Sequence, residues 1–109
     1  MDMKWKITFY STKVEQETLN FPPGILANFL HILESIQEFG VTIGKPYISS
    51  MSGGLFEIRA KGKEGIGRSF YCTLKGKEIV IVHSFIKKSQ KTPKRELDLA
   101  RKRMKEVKK

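Results

Sequence analysis

The sequence lacks the features on which several classes of protein depend. Its only cysteine is Cys72, so an internal disulfide and a cysteine-rich metal site are both excluded. No apolar run approaches the roughly 18 residues that a transmembrane helix needs. Residues 1–10 contain no hydrophobic stretch like that of a signal peptide. These absences predict a protein of the reducing cytoplasm that has no membrane partner.

Patterns that bind cofactors are also missing. The Asp, Glu and His residues form no group with the spacing of metal ligands. No glycine-rich phosphate loop precedes a predicted helix, and the glycine-containing segments at Gly53-Gly54 and Gly62–Gly65 are typical of turns. We therefore expect neither a metal ion nor a cofactor.

Positive charge, by contrast, is abundant. The 109 residues include 21 Lys and Arg against 11 Asp and Glu, a formal net charge of +10. Residues 1–58 hold four basic and six acidic residues, residues 59–86 six and two, and residues 87–109 eleven and three. The net charge thus rises from −2 through +4 to +8 along the chain. This gradient predicts that the first half is a scaffold and that the second half faces a polyanion.

The length predicts a single domain over residues 1–109. Strict alternation predicts a strand over Met3–Tyr10, with Met3, Trp5, Ile7 and Phe9 on one face. A short helical turn is expected over Val14–Leu19. A long helix follows Pro22-Pro23, runs over Ile25–Phe39 and ends at Gly40. Its predicted apolar face consists of Leu26, Phe29, Leu30, Leu33 and Ile36.

Three strands are predicted after a turn-rich segment over Gly44–Gly54, at Leu55–Lys61, Ile66–Leu74 and Glu78–Ile86. The last of these is apolar almost throughout, which is typical of a strand covered on both faces. A final helix follows, with Thr92 as N-cap and Pro93 at its first position. The expected fold class is α+β, with a small, mainly antiparallel four-stranded sheet packed against two or three helices. That sheet consists of the N-terminal strand and a three-stranded meander.

Two arginines are predicted to face each other across the meander. A two-residue turn at Lys63-Glu64 places Arg59 opposite Arg68, on the same side of the sheet. Like charges in this position destabilise a sheet, whereas two guanidinium groups suit a bound phosphate. Since the strand of Arg68 carries no acidic residue, Arg68→Ala is expected to abolish activity and to leave the fold intact. A register slip of one residue would instead leave two solvated strand arginines.

Lysines gather where the last strand ends and the last helix begins. Phosphates bind at helix N-termini, and cations placed there oppose the helix dipole unless an anion is bound. The lysines at this junction are Lys87, Lys88, Lys91 and Lys94. We therefore interpret them as RNA-binding residues, together with Lys61 on the strand of Arg59. The alternative is a solvated basic loop.

Two further side chains have both a structural and a functional interpretation. His83 lies inside the apolar strand, where it is either a hydrogen-bonded core residue or, if exposed, an acid or base. Phe70 lies opposite Glu57 on the arginine face and is a candidate to stack on an RNA base, although strand aromatics usually belong to the core.

Four segments in succession resemble the HigB-like, often phage-derived, branch of the RelE/ParE toxin superfamily. They are Leu55-Phe-Glu-Ile-Arg59, Gly67-Arg68-Ser-Phe-Tyr71, His83-Ser-Phe-Ile-Lys-Lys88 and Ser89-Gln-Lys-Thr-Pro-Lys-Arg-Glu96. The resemblance implies a toxin of a type II toxin–antitoxin system that cleaves messenger RNA on the ribosome without a metal ion. It also implies inhibition by a cognate antitoxin, in this branch usually a helix-turn-helix, HigA-like protein.

Carried over by position, the family's catalytic residues match Arg59, Arg68 and Lys88, or Lys87 beside it. RelE-like members often place a tyrosine in the last helix, where this sequence has Pro93-Lys94. The acid–base role therefore stays open among Lys88, Lys91 and His83. Two alternatives also stay open: a ParE-like toxin that binds a protein such as gyrase without catalysis, and a non-toxic RNA-binding protein.

Overall fold

In the computed structural model, which describes residues 4–40, 44, 47–87 and 93–109, a mixed β-sheet lies between two helices on one face and one helix on the other. The spatial order of the strands is β1-β5-β4-β3-β2. In chain order the elements are β1 (Lys6–Phe9), α1 (Thr12–Leu19), α2 (Pro23–Phe39), β2 (Ile48–Ser50), β3 (Phe56–Gly62), β4 (Gly65–Leu74), β5 (Glu78–Lys87) and α3 (Lys94–Val107). The α+β class predicted from the sequence is confirmed.

The antiparallel meander formed by β3, β4 and β5 has the predicted register. Gly62 pairs with Gly65 across the hairpin, so Arg59 lies opposite Arg68. A β-bulge interrupts the pairing of β4 with β5 after Phe70, which lies opposite His83. Because a bulge breaks the alternation of side chains, the consecutive residues Val82 and His83 both contact α3.

The sheet has one strand more than the four predicted. The segment expected to be turn-rich contains β2, which pairs antiparallel with β3 and buries Ile48. Three residues are too few to show a period of two, which is why the sequence pattern does not reveal this strand. At the other edge β1 runs parallel to β5. It is shorter than the predicted strand, whose Met3 lies outside the described residues.

Helix α2 ends where the sequence predicts and begins at Pro23, two residues before the predicted Ile25, but its buried face is rotated. Gly40 closes it with a φ of +68°, and a Cβ there would lie 2.5 Å from the Trp5 Nε1 atom. The side chains buried against the sheet are Ile25, Phe29, Ile32, Leu33 and Ile36. Leu30 is exposed and Leu26 only half-buried. The short α1 begins two residues earlier than predicted, since the Ser11 hydroxyl accepts a hydrogen bond from the Val14 N–H.

The sheet has an apolar core on each face. Helices α1 and α2 cover one of them. On the opposite face, Ala100 and Met104 of α3 pack against a cluster that includes Phe70, Cys72 and Val82. Helix α3 begins at Lys94 with Pro93 as its N-cap, one residue later than predicted, and Thr92 lies outside the described residues. No helix of the described ranges is long and apolar enough to span a membrane.

Arginine side chains fix α3 in place. Both terminal nitrogens of Arg101 donate to backbone carbonyls, one of Met51 and one of Ser52. Arg103 donates to the Val82 carbonyl and lies 5.0 Å above the Tyr10 ring. These contacts place the N-terminal turn of α3 beside His83, next to the rows of the sheet that hold the predicted site residues.

Candidate functional site

Cationic side chains from three neighbouring strands share one face of the sheet. Arg59 lies opposite Arg68, and the next row consists of Lys61, Ile66 and Lys87. Since side chains in a strand alternate between faces, these residues all point to the face that α3 packs on. The structure thus brings together four of the predicted site residues, Lys61 included.

A carboxylate lies within this group of cations. The Arg68 Nη1 atom donates to Glu57 Oε1, and the two side chains are only 5% and 4% exposed. Strand β4 itself carries no acidic residue, as the sequence predicts, but the neighbouring strand β3 supplies this carboxylate. The sequence places Glu57 on the arginine face, two residues before Arg59, but the pairing of Glu57 with Arg68 was not predicted. We call Glu57, Arg59, Arg68 and Lys87 the cation cluster.

Both arginines of the cation cluster retain an unused donor. The Nε atoms of Arg59 and Arg68 are buried and have no hydrogen-bond partner in the described part of the chain. A buried donor without an acceptor costs about 1–3 kcal/mol. An anion bound between the two guanidinium groups would supply the missing acceptors, and phosphate oxygens suit that geometry.

The environment of Lys87 alters its protonation. Partial removal from water lowers the pKa of this lysine, the positive charges of Arg68 and Arg59 lower it further, and Glu57 opposes them. The neutral amine of Lys87 therefore forms at a lower pH than that of an ordinary lysine. A neutral amine can accept a proton from a substrate hydroxyl.

His83 is held as a structural residue. It is 8% exposed, and its Nε2 atom lies 2.6 Å from Glu96 Oε1 in the first turn of α3. Its ring stacks on Phe85 with 5.7 Å between the centroids. Exposure was the condition for an acid–base role, and the structure does not meet it. His83 instead ties α3 to the sheet beside the cation cluster.

The remaining predicted residues lie elsewhere. Phe70 is fully buried, 5.8 Å from the Phe85 ring, so it belongs to the core under α3 and offers no surface on which a base could stack. Lys94 is exposed on α3, with Nζ 3.6 Å from an Asp98 carboxylate oxygen. Lys88 and Lys91 lie outside the described residues.

The chemistry available on this face follows from these groups. The described ranges contain no cluster of three or more His, Cys, Asp or Glu side chains that could hold a metal ion. The cation cluster provides two guanidinium groups, one lysine with a lowered pKa and one carboxylate. Such a set can bind a phosphodiester, stabilise negative charge that develops on it and accept a proton.

Comparisons with known proteins agree with this description. A family model described as phage derived protein Gp49-like (DUF891) matches residues 16–105. No curated protein sequence matches significantly. Among solved structures, the chain is similar to the crystal structure of an archaeal RelE–RelB complex from Pyrococcus horikoshii OT3, with a TM-score of 0.55 and 21% identity. That match covers 77% of this chain and 96% of the other, and it shows that the fold is RelE-like.

The buried pair of Arg68 and Glu57 predicts a stability effect that the sequence did not. Arg68→Ala leaves the Glu57 carboxylate buried without this partner, so the free energy of unfolding should fall by about 3–5 kcal/mol. Glu57→Ala should cause a similar loss. The double variant Glu57→Leu with Arg68→Met should recover most of it, because no unpaired charge is buried. Urea unfolding followed by circular dichroism measures all three.

Lys61→Ala is the matched control, because this cation lies on the same face but is exposed and should change stability by less than about 0.5 kcal/mol. A single variant at Arg68 that unfolds at the same urea concentration as the wild type would show that the pair does not stabilise the fold.

Proposed function

The chain belongs to the phage derived protein Gp49-like family and has a RelE-like fold, and on this premise we propose that it is the toxin of a type II toxin–antitoxin pair. Membership of this family and the RelE-like fold support the resemblance to the HigB-like branch of the RelE/ParE superfamily. The activity we propose is ribosome-dependent cleavage of messenger RNA, which inhibits translation.

The cation cluster is the observation that carries this proposal. Arg59, Arg68 and Lys87 share one face with a single carboxylate, that of Glu57, so an excess of positive charge remains there and favours a bound anion. The buried, unpartnered Nε atoms of the two arginines support a ligand rich in acceptors. A phosphodiester of RNA meets both conditions, and the net charge of +10 favours its approach.

Cleavage would proceed by attack of a ribose 2′-OH on the adjacent phosphate. The 2′-oxygen bonds to phosphorus as the bond to the 5′-oxygen breaks, and the leaving 5′-oxygen takes a proton from water. The products carry a 2′,3′-cyclic phosphate and a 5′-hydroxyl. Arg59 and Arg68 stabilise the charge that develops on the phosphorane oxygens. Lys87, in its neutral form, accepts the 2′-OH proton, and Glu57 positions the guanidinium group of Arg68. The acid–base roles predicted from the sequence for Lys88 and Lys91 stay predictions, because both residues lie outside the described ranges.

In this proposal the ribosome provides the alignment of the reacting groups. His83 is tied to Glu96, so a lysine carries the proton transfer, without help from a histidine. Alignment of reacting groups is worth several kcal/mol or more of barrier, and a decoding site that holds the messenger in line for attack can provide it. Phosphate contacts of the basic surface anchor the toxin to ribosomal RNA.

We expect messenger RNA to be cut efficiently only when ribosomes are present. Primer extension on one messenger, incubated with the protein alone or with the protein and programmed ribosomes, measures this directly. Equal cutting in both reactions would refute ribosome dependence. Growth inhibition that depends on Arg59 but leaves cellular RNA intact would favour the alternative, a ParE-like toxin that binds a protein target such as gyrase.

The role of Lys87 predicts a pH dependence. Because its pKa is lowered, the wild-type cleavage rate should rise with pH and level off at a lower pH than an ordinary lysine would give. Lys87→Arg keeps the charge but cannot lose a proton in this range, so the rate should fall on the order of a hundredfold and its rise with pH should vanish. Single-turnover cleavage on ribosomes, from about pH 6 to about pH 9, tests this.

Lys102→Arg on the exposed face of α3 is the control and should keep the wild-type profile. Full activity of Lys87→Arg would exclude Lys87 as the proton acceptor.

We also propose a partner antitoxin, a helix-turn-helix protein of the HigA type encoded next to this chain. Acidic residues of the partner would meet the cation cluster and the lysines of α3, and would mask the RNA site. Opposite charges accelerate association and are screened by salt, so the affinity should fall steeply as ionic strength rises. Titration calorimetry at low and high salt tests this, and an unchanged affinity would indicate an apolar interface elsewhere.

A further inference from the structure

A cavity adjoins the cation cluster at the edge of β3. It measures about 260 Å³ and is lined by Asn28, Tyr47, Arg59 and Lys61. Strand β2 pairs with β3 only as far as Ile48 opposite Ile58. Past that point the Arg59 N–H donates to the Tyr47 carbonyl over 2.8 Å. The Lys61 N–H then donates to the side-chain oxygen of Asn28, also over 2.8 Å.

At the outer edge of β3, the Asn28 side chain of α2 therefore accepts a backbone hydrogen bond that a longer neighbouring strand would otherwise accept. This local arrangement satisfies the backbone of β3 and leaves room for the cavity beside it.

The walls of this cavity differ in chemistry. Tyr47 is 46% exposed and presents an aromatic ring. The Asn28 amide uses its oxygen for the Lys61 N–H and retains an NH₂ donor group on the same side chain. Arg59 and Lys61 add positive charge, and the buried Arg59 Nε has no acceptor in the described ranges.

Taken together, these walls suit one kind of ligand. A free phosphate would use the cations but not the ring, and an acidic peptide has no planar base to stack on it. A nucleotide uses all of them, since a base stacks on aromatic rings, its edge exchanges hydrogen bonds with an amide and its phosphate pairs with cations. The volume is slightly below the range of about 300–1,000 Å³ for drug-sized ligands, which suits a single base.

We propose that this cavity is a nucleobase subsite for the RNA nucleotide next to the phosphate held by the cation cluster. Tyr47 stacks on the base, the Asn28 amide donates to its edge, and Arg59 connects the subsite to the cluster. The proposal rests on the proposed function, because it takes RNA to be the substrate. It assigns base preference to Tyr47 and Asn28, and not to Phe70.

Binding to an RNA that cannot be cleaved tests the subsite separately from catalysis. A 2′-O-methyl hexanucleotide lacks the attacking hydroxyl, and the same backbone without bases is the comparison. Fluorescence anisotropy at low salt should show the intact oligomer binding about 5- to 100-fold more tightly, as one stacked base provides. Tyr47→Ala should abolish that difference, and Tyr47→Phe, which keeps the ring, should retain it.

Two further variants sharpen the experiment. Asn28→Asp keeps the acceptor for the Lys61 N–H but loses the amide donors, so it should preserve the thermal unfolding temperature and change the order of affinity among oligomers of A, C, G and U. Leu19→Ala removes an apolar side chain of α1 that is 46% exposed and does not line this cavity, and it should behave as the wild type.

Several results would overturn the subsite. They are equal wild-type affinity for the intact and base-free oligomers, no binding of either at low salt, and Tyr47→Ala with undiminished base dependence. Cleavage on ribosomes, measured in parallel, separates the two proposals. Normal cleavage with base-independent binding refutes the subsite alone, whereas base-dependent binding without any cleavage refutes the proposed function alone.

Discussion

The buried ion pair between Arg68 and Glu57 is the interaction on which the arrangement of the site depends. Two charges taken out of water need good geometry to offset the loss of hydration, and the β3–β4 register provides it by placing the partners diagonally across one face. A slip of one residue would move Glu57 and Arg59 to the α2 side. The tight turn from Gly62 to Gly65 thus fixes both the hairpin and the position of the site.

The position of this pair organises the charges around it. Arg68 is neutralised by Glu57, whereas Arg59 and Lys87 lie within electrostatic range of both, so the cluster keeps an excess of positive charge. Helix α3 closes the same face at its other end through Ala100 and Met104. The hydrogen bond between His83 and Glu96 lies between the apolar core under α3 and the cation cluster. One face of the sheet therefore holds the apolar core under α3 at one end and the cation cluster at the other.

The cation cluster and the cavity beside β3 share Arg59. In the proposals above, the phosphate and the base of one nucleotide meet adjacent parts of the same strand, the guanidinium groups on its face and the Tyr47–Asn28 pair at its edge. This division follows from the topology: β3 has a complete neighbour in β4 but only a three-residue neighbour in β2. The β4 side of β3 is therefore fully paired, and its outer edge is partly open.

Local pattern by itself determined the α+β class, the end of α2, the meander with Arg59 opposite Arg68, and the family resemblance, because period, turn residues and charge are properties of neighbouring residues. The tertiary structure decided the rest. It buried Phe70 and tied His83 to Glu96, since both depend on where α3 docks. It gave Arg68 a carboxylate partner and brought Tyr47 to Asn28 and Arg59. Those contacts join residues far apart in the chain, and side-chain burial across a sheet has no signature in local sequence.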